Sequence, residues 1–265
     1  MLTLTEKNIH TGNLILVNEH YGIREELTDF LIPVQEEFPE ILLQKCAAVL
    51  LNELMQEIHG WRSIVPVSGY RSLAEQQHIW EDSLRENGPD FTRKYVAVPG
   101  HSEHQTGLAV DLGLKQETID FIRPDFPYTG VCRTFRKKAA KYGFILRYPF
   151  GKESITGISH EPWHFRYVGI PHAEIMEKND LTLEEYVEFV KRFPYDGSRY
   201  TIQNGSRKIC VSYLAARPER GTSDRESFPK NAAGEAGEFP DGLSCACTVS
   251  GNNIDGYIIT EWEEL

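Results

Sequence analysis

Two short stretches hold most of the groups that could do chemistry. Residues 157–169 read GISHEPWHFRYVG, and the five letters HEPWH formally satisfy the zinc-protease pattern H-E-x-x-H. That pattern works only on a helix, where residues i and i+4 share a face and both imidazoles reach one ion. Pro162 excludes the helix: it lacks an N–H, clashes with the preceding turn and pushes Glu161 out of helical dihedrals. Trp163 to Val168 is rich in aromatic and β-branched types and reads as a strand. The expectation is a loop carrying Glu161 that enters a strand carrying His164. Any further metal ligands must come from elsewhere in the chain.

The second stretch, GHSEHQTGLAVDLG, spans residues 100–113. His104 and Asp111 lie seven apart, an odd offset that would point them to opposite faces of one straight strand. Gly107 offers a turn between them, so the two can come from adjacent strands and converge. With His164 they make a His/Asp/His set, three zinc ligands with a fourth position left for water. Zinc lowers the pKa of bound water to about 7, and Glu161, three residues before a ligand, is placed to take a proton and pass it to a leaving amine. Asp111 is the most informative residue, because a carboxylate between Val110 and Leu112 is costly to bury unless paired or bound to metal. His101 and His160 are chemically equal rivals as ligands.

A third stretch, PVSGYRSLAEQQHIW, spans residues 66–80. Arg71 follows a strand and a Ser-Gly turn that would aim it across a cleft, where a guanidinium can hold a carboxylate or a developing oxyanion. The competing reading is a surface arginine at a helix start, where a cation opposes the helix dipole.

The elements around these residues follow from periodicity. Apolar positions from Pro39 to about Gly60 recur at helical spacing. Ile64–Val67 and 108–114 read as strands, and Leu14 to Val17 as a short strand or extended segment. Ser72 and Glu75 form a capping box for a helix from Leu73 to about Asn87. Arg133 to Tyr142 is a basic amphipathic helix ended by Gly143, and Thr182 to Phe193 reads as a further helix, capped by Thr182 with Glu185 in the capping-box position. Residues 115–130 read as a long loop. It carries Glu117, Asp120 and Asp125. After Pro194 the texture changes to two hairpins, one around Asn204-Gly205 and one around residues 251–253, separated by a polar, Gly- and Pro-rich stretch at 217–242 that reads as mobile. The expected fold is α+β, with residues 1–194 as the main domain and 195–265 as a small β appendage.

Composition narrows the class. The 265 residues are 40% hydrophobic and 25% charged, ordinary for a globular protein. A net charge of −11 argues against nucleic acid or an anionic membrane as partner. No apolar run approaches the ~18 residues of a membrane span. The start of the chain has neither a basic n-region nor a long h-region, so a cytoplasmic location is expected. Five scattered cysteines do not make a disulfide framework.

Taken together, three motifs resemble a known family. S-x-H-x-x-G-x-A-x-D stands as Ser102 to Asp111, E-x-W-H as Glu161 to His164, and S-G-Y-R-S as Ser68 to Ser72. The chain resembles the zinc D-Ala-D-Ala metallopeptidases of the VanX/VanY group, most closely the cytoplasmic bifunctional VanXY enzymes, over about residues 10–190. The resemblance implies a small antiparallel sheet flanked by helices. It also implies zinc bound by His104, Asp111 and His164, Glu161 as general base and acid, and Arg71 as stabiliser of the tetrahedral intermediate. Ser102 and the pair Gln76 and Gln77 match positions lining the family's substrate pocket. The implied activity is hydrolysis of D-Ala-D-Ala, free or ending a peptidoglycan precursor, which removes the vancomycin target. Resemblance to the bifunctional group suggests that Glu117, Asp120 and Asp125 of the 115–130 loop offer charge to the ammonium of the short substrate and move aside for the longer one. The alternatives are an L,D-endopeptidase acting on cell wall and a non-catalytic zinc-binding module, the latter disfavoured by the presence of both Glu161 and Arg71.

Overall fold

The computed structural model describes residues 2–24, 30–204, 207–216, 227–228 and 245–264. Contacts group the chain into two compact units, Val17–Thr182 and a second made of Met1–Leu16 with Leu183–Leu265.

The Val17–Thr182 unit is built on a four-stranded antiparallel sheet. In spatial order its strands are Ile64–Ser68, Ala109–Leu114, His164–Tyr167 and Phe144–Leu146. Side chains alternate across a strand, so this sheet has two different faces. Val110, Leu112, Phe165 and Tyr167 turn to a core shared with Ala47, Leu51 and Leu54 of the Lys45–Glu57 helix and with Cys132 and Phe135 of the Gly130–Ala139 helix. Ser68, Asp111, His164 and Arg166 fall on the other face, because Ser68 pairs with Asp111, Asp111 with His164, and Ala109 with Arg166.

The elements agree with sequence patterning where local chemistry is strong. The Leu73–Asn87 helix starts at the Ser72/Glu75 capping box, with Glu75 N–H donating to Ser72 Oγ at 3.2 Å and Ser72 N–H to the Glu75 carboxylate at 2.7 Å. The expected helix from Pro39 instead begins at Lys45, because Leu42–Gln44 pairs with Leu31–Pro33 as a two-stranded ribbon. Leu43 fits both patterns, and a short apolar run does not distinguish them. Leu14 to Val17 is buried but belongs to no strand. The Pro89–Tyr95 and His172–Asn179 helices were not foreseen.

In the second unit both expected hairpins are present within a four-stranded antiparallel sheet. Tyr200–Asn204 pairs with Arg207–Ala215, and Cys245–Gly251 with Gly256–Glu264. The second turn is held by Asn252, whose side-chain oxygen accepts from the backbone N–H groups of Ile254, Asp255 and Gly256 at 2.9–3.1 Å. Gly205 and, apart from residues 227 and 228, the stretch 217–242 lie outside the described residues.

Gly107 sets the geometry between two of the motif residues. Its φ of +67° is left-handed, and an added Cβ would meet Leu31 Cδ2 at 2.6 Å. Gly107→Ala is therefore expected to destabilise the protein by at least about 1–2 kcal/mol. Urea unfolding checks this, and an unchanged midpoint would refute the requirement.

Candidate active site

His104 and Asp111 meet differently from the expected pair of adjacent strands. His104 sits on a short 3-10 helix, Glu103–Thr106, and only Asp111 is on a strand. The left-handed Gly107 turns the chain back, so the residue-type expectation of a turn there holds. Asp111 then lies directly across the ladder from His164. The result is a tight cluster: His104 Nε2 is 3.1 Å from Asp111 Oδ2, and His164 Nδ1 is 2.9 Å from Asp111 Oδ1.

One ligand atom from each of His104, Asp111 and His164 lies within 4.8 Å of the others, and all three residues are buried. This is the only group of three or more potential metal-ligating side chains found among the described residues. Two imidazoles and one carboxylate are a donor set suited to zinc with a position left open. His104 Nδ1 faces the Gly69 carbonyl at 2.6 Å, which places its proton there and its lone pair on Nε2, toward the cluster. The rival histidines are engaged elsewhere. His101 Nδ1 meets the Asn18 carbonyl at 2.7 Å, while His160 meets the Tyr148 carbonyl and the Tyr128 hydroxyl.

Glu161 lies at the end of the loop before the His164 strand. Its N–H donates to the Tyr148 carbonyl at 3.1 Å, and its carboxylate is 3.8 Å from His164 Nδ1. Arg136 anchors this loop, donating to the Pro162 and Pro127 carbonyls at 2.7 Å and also to the Phe126 carbonyl. Sequence reading saw Arg136 only as part of a basic helix face, and its spacing gives no sign of this role.

Arg71 points inward. Its Nε donates to Ser68 Oγ at 2.8 Å, Nη1 to Gln76 Oε1 at 3.2 Å, and Nη2 to Asp111 Oδ2 at 3.0 Å, with His104 Nε2 at 3.2 Å. Gln76 is fully buried and donates to the Ala97 carbonyl at 2.8 Å, so it braces Arg71 from behind. Gln77 is exposed on the same helix and donates to Glu81 at 2.5 Å, so the structure does not bring it to the cluster.

An open cleft of about 500 Å³, part of it solvent-open, leads to these groups, with Ser102, Tyr148, Phe121 and Ile122 among its walls. The 115–130 loop contributes Phe121 and Ile122, not its acids. Asp120 is occupied by the backbone N–H groups of Ile122 and Arg123 at 2.9 Å, and Glu117 and Asp125 are exposed and off the cleft. The acids of this loop thus stand away from the cleft walls, to which the loop contributes an apolar surface.

Burial and neighbours set the protonation states. Burial, aided by the Asp111 charge, pushes Glu161 up to about 8 against the pull of His164 and Arg71. Burial would also raise Asp111, but the two histidines hold it well below the usual carboxylate range. Burial and the Arg71 charge bring His104 down to about 4. Burial opposes charge on His164 too, yet hydrogen bonding and attraction to Asp111 raise it to about 9.

Two measurements follow. Metal analysis of His164→Ala and His160→Ala should find zinc lost from the first and retained by the second, and the reverse pattern would overturn the ligand set. A zinc ion bound by this set would have to displace a proton from His164 and would disfavour the protonated Glu161, so apparent affinity should rise between pH 7 and pH 9. Chelator competition at the two pH values checks the sign, and a flat or falling affinity contradicts it.

Comparison with known proteins places this arrangement. Residues 40–170 match the family model described as VanY, D-alanyl-D-alanine carboxypeptidase. The chain is 47% identical over 183 residues to a bifunctional D-Ala-D-Ala dipeptidase and carboxypeptidase, VanXYC, of Enterococcus gallinarum, covering 68% of this chain and 95% of that one. It superposes with a TM-score of 0.88 and 47% identity on the vancomycin resistance D,D-dipeptidase VanXYg, solved with a D-Ala-D-Ala phosphinate analogue, covering 99% and 98% of the two chains. It also matches a mutant D,D-pentapeptidase VanY solved with Zn(II), at TM-score 0.54 and 30% identity over 66% of this chain and 98% of that one.

Proposed function

We infer that this chain, which belongs to the VanY family of D-alanyl-D-alanine carboxypeptidases, hydrolyses the amide between two D-alanines. Its substrates are the free dipeptide and the D-Ala-D-Ala end of peptidoglycan precursors, and the outcome is fewer targets for vancomycin. The observation that carries the reading is the convergence of His104, Asp111 and His164 beside a buried Glu161, at the floor of a cleft also lined by Arg71. Cytoplasmic residence belongs to the same proposal. Among the described residues no helix is long and apolar enough to cross a membrane.

The residues divide the work by their surroundings. Zinc, held by His104 Nε2, Asp111 and His164 Nδ1, supplies when bound a Lewis acid and a water of lowered pKa. Glu161 is the buried carboxyl with no guanidinium bonded to it, and burial raises its affinity for a proton, the property a group needs to take one and return it. It would carry a proton to the leaving amine of the terminal D-alanine. Arg71 is pinned at Nε and Nη1 by Ser68 and Gln76, which leaves Nη2 to choose its partner. Nη2 now contacts Asp111 Oδ2 and His104 Nε2, and were those two residues to hold zinc, that N–H would be released toward the cleft to donate to a carbonyl oxygen gaining charge. Phe121 and Ile122 cover small methyl side chains and exclude water.

The cleft lining also supports dual use. Among the described lining residues the acids are Glu103, Asp111 and Glu161, all belonging to the metal-side cluster. None of the three stands apart from that cluster, and we propose that the cleft takes both lengths of substrate. The zinc-loaded protein should therefore release D-alanine from both D-Ala-D-Ala and a pentapeptide ending in it. Failure on both, or cleavage of an L,D bond instead, would overturn the assignment. Glu161→Gln keeps the shape but accepts no proton, so zinc content should be unchanged while turnover falls by roughly 10²-fold or more. Near-normal turnover in that variant would remove Glu161 from the role.

A further inference from the structure

Beside the cluster lies a buried carboxylate that the motif reading passed over. Glu103, directly before His104, is 2% exposed, and its Oε1 accepts from Arg147 Nε at 2.8 Å and from Arg166 Nη1 at 2.7 Å. Both arginines are fully buried. With one oxygen fixed by two guanidiniums, the carboxylate cannot turn, and Oε2 is held toward His164 Nε2 at 3.5 Å. Those two buried atoms have no hydrogen-bond partner elsewhere. A shift of about 0.7 Å would bring them to charge-assisted hydrogen-bond length.

The geometry has a direct consequence for the ring. His164 meets Asp111 through Nδ1 and Glu103 through Nε2. A neutral imidazole carries one proton, so it can ligate through Nδ1 only if that proton sits on Nε2. An acceptor fixed at Nε2 favours that tautomer and a donor there would oppose it. His104 has the matching arrangement with its opposite nitrogen, Nδ1 against the Gly69 carbonyl. The supports also share a frame. Arg166 is two residues beyond His164 on the same strand face, and Arg147 N–H donates to the His164 carbonyl at 3.2 Å.

We propose that Glu103, locked by Arg147 and Arg166, is a positioning residue that fixes His164 as the Nε2–H tautomer and so sets Nδ1 as the metal ligand. The proposal rests on the zinc reading of the cluster. A merely structural role, neutralising two buried arginines, would affect folding but not the affinity of the folded site.

Glu103→Gln separates these roles. With its carbonyl oxygen kept by the arginines, the amide presents an NH₂ donor to Nε2. Zinc affinity, measured by chelator competition on folded protein, should fall 10- to 100-fold. The absorption bands of the cobalt-substituted form should shift as well. Unchanged affinity in a folded variant that still binds zinc overturns the role of Glu103, whereas a wild type that binds no zinc overturns the metal reading itself. If Glu103→Gln does not fold, ring-nitrogen NMR of the zinc-loaded wild type decides. A far-downfield His164 Nε2–H protected from exchange with water is expected, and a freely exchanging one refutes the proposal.

Discussion

The site depends on one register. Asp111 and His164 are direct partners across an antiparallel ladder, and Ser68 faces Asp111 from the other side. Opposed residues in such a pair carry side chains about 5 Å apart on the same face, which is close to what two ligands of one ion require. A slip of one residue would send either side chain to the apolar face and put Val110 or Phe165 in its place. The slip is blocked from that apolar face, where Val110, Leu112, Phe165 and Tyr167 bury against two helices. The hydrophobic core therefore does more than stabilise this unit. It holds the polar residues in the pairing on which the chemistry rests.

The polar face is a problem of charge. Glu103, Asp111 and Glu161 are all buried there, with Arg71, Arg147 and Arg166 beside them. Buried carboxylates are tolerated only when paired and hydrogen-bonded, and the three are treated unequally. Glu103 has two guanidiniums and stays ionised, its carboxyl held well below the ordinary range although burial pushes the other way. Asp111 has two imidazoles and Arg71. Glu161 has only a 3.8 Å approach to His164, so burial dominates and its affinity for a proton rises. Environment alone thus gives three carboxyls of nearly equal intrinsic acidity three different affinities for a proton.

How much of this was legible depended on how local each signal was. Pro162 inside HEPWH settled strand against helix because proline acts on its immediate neighbours. The Ser72 capping box, Gly107 and the Asn-rich turn at residues 251–253 were legible for the same reason. Asp111 stood out because a charge in an apolar strand needs a partner. Glu103, Arg147 and Arg166 did not stand out, since each sits among residues where a charge reads as solvated. Their contact joins positions 44 and 63 residues apart, and no spacing rule reaches that far. Gln76 and Gln77 are adjacent in sequence, and helix rotation of about 100° sends one inward and the other to solvent.

At the 115–130 loop, composition points to the acids while side-chain placement brings Phe121 and Ile122 to the cleft. Its acids were the obvious candidates for gripping a substrate, yet a short loop carboxylate also has a nearer use, accepting from its own backbone N–H groups two or three residues on. Asp120 does this, which orders the turn and presents Phe121 to the cleft, over the Arg71 guanidinium at 5.6 Å. A half-exposed ring in that position encloses a small apolar residue without specifying what lies further along the chain. On the proposed D-Ala-D-Ala reading, recognition falls on groups common to every such end, namely the scissile carbonyl, the leaving amine and the methyl side chains. On the proposed reading, a cleft built that way would discriminate by the chemistry of the final amide bond more than by the length of the substrate.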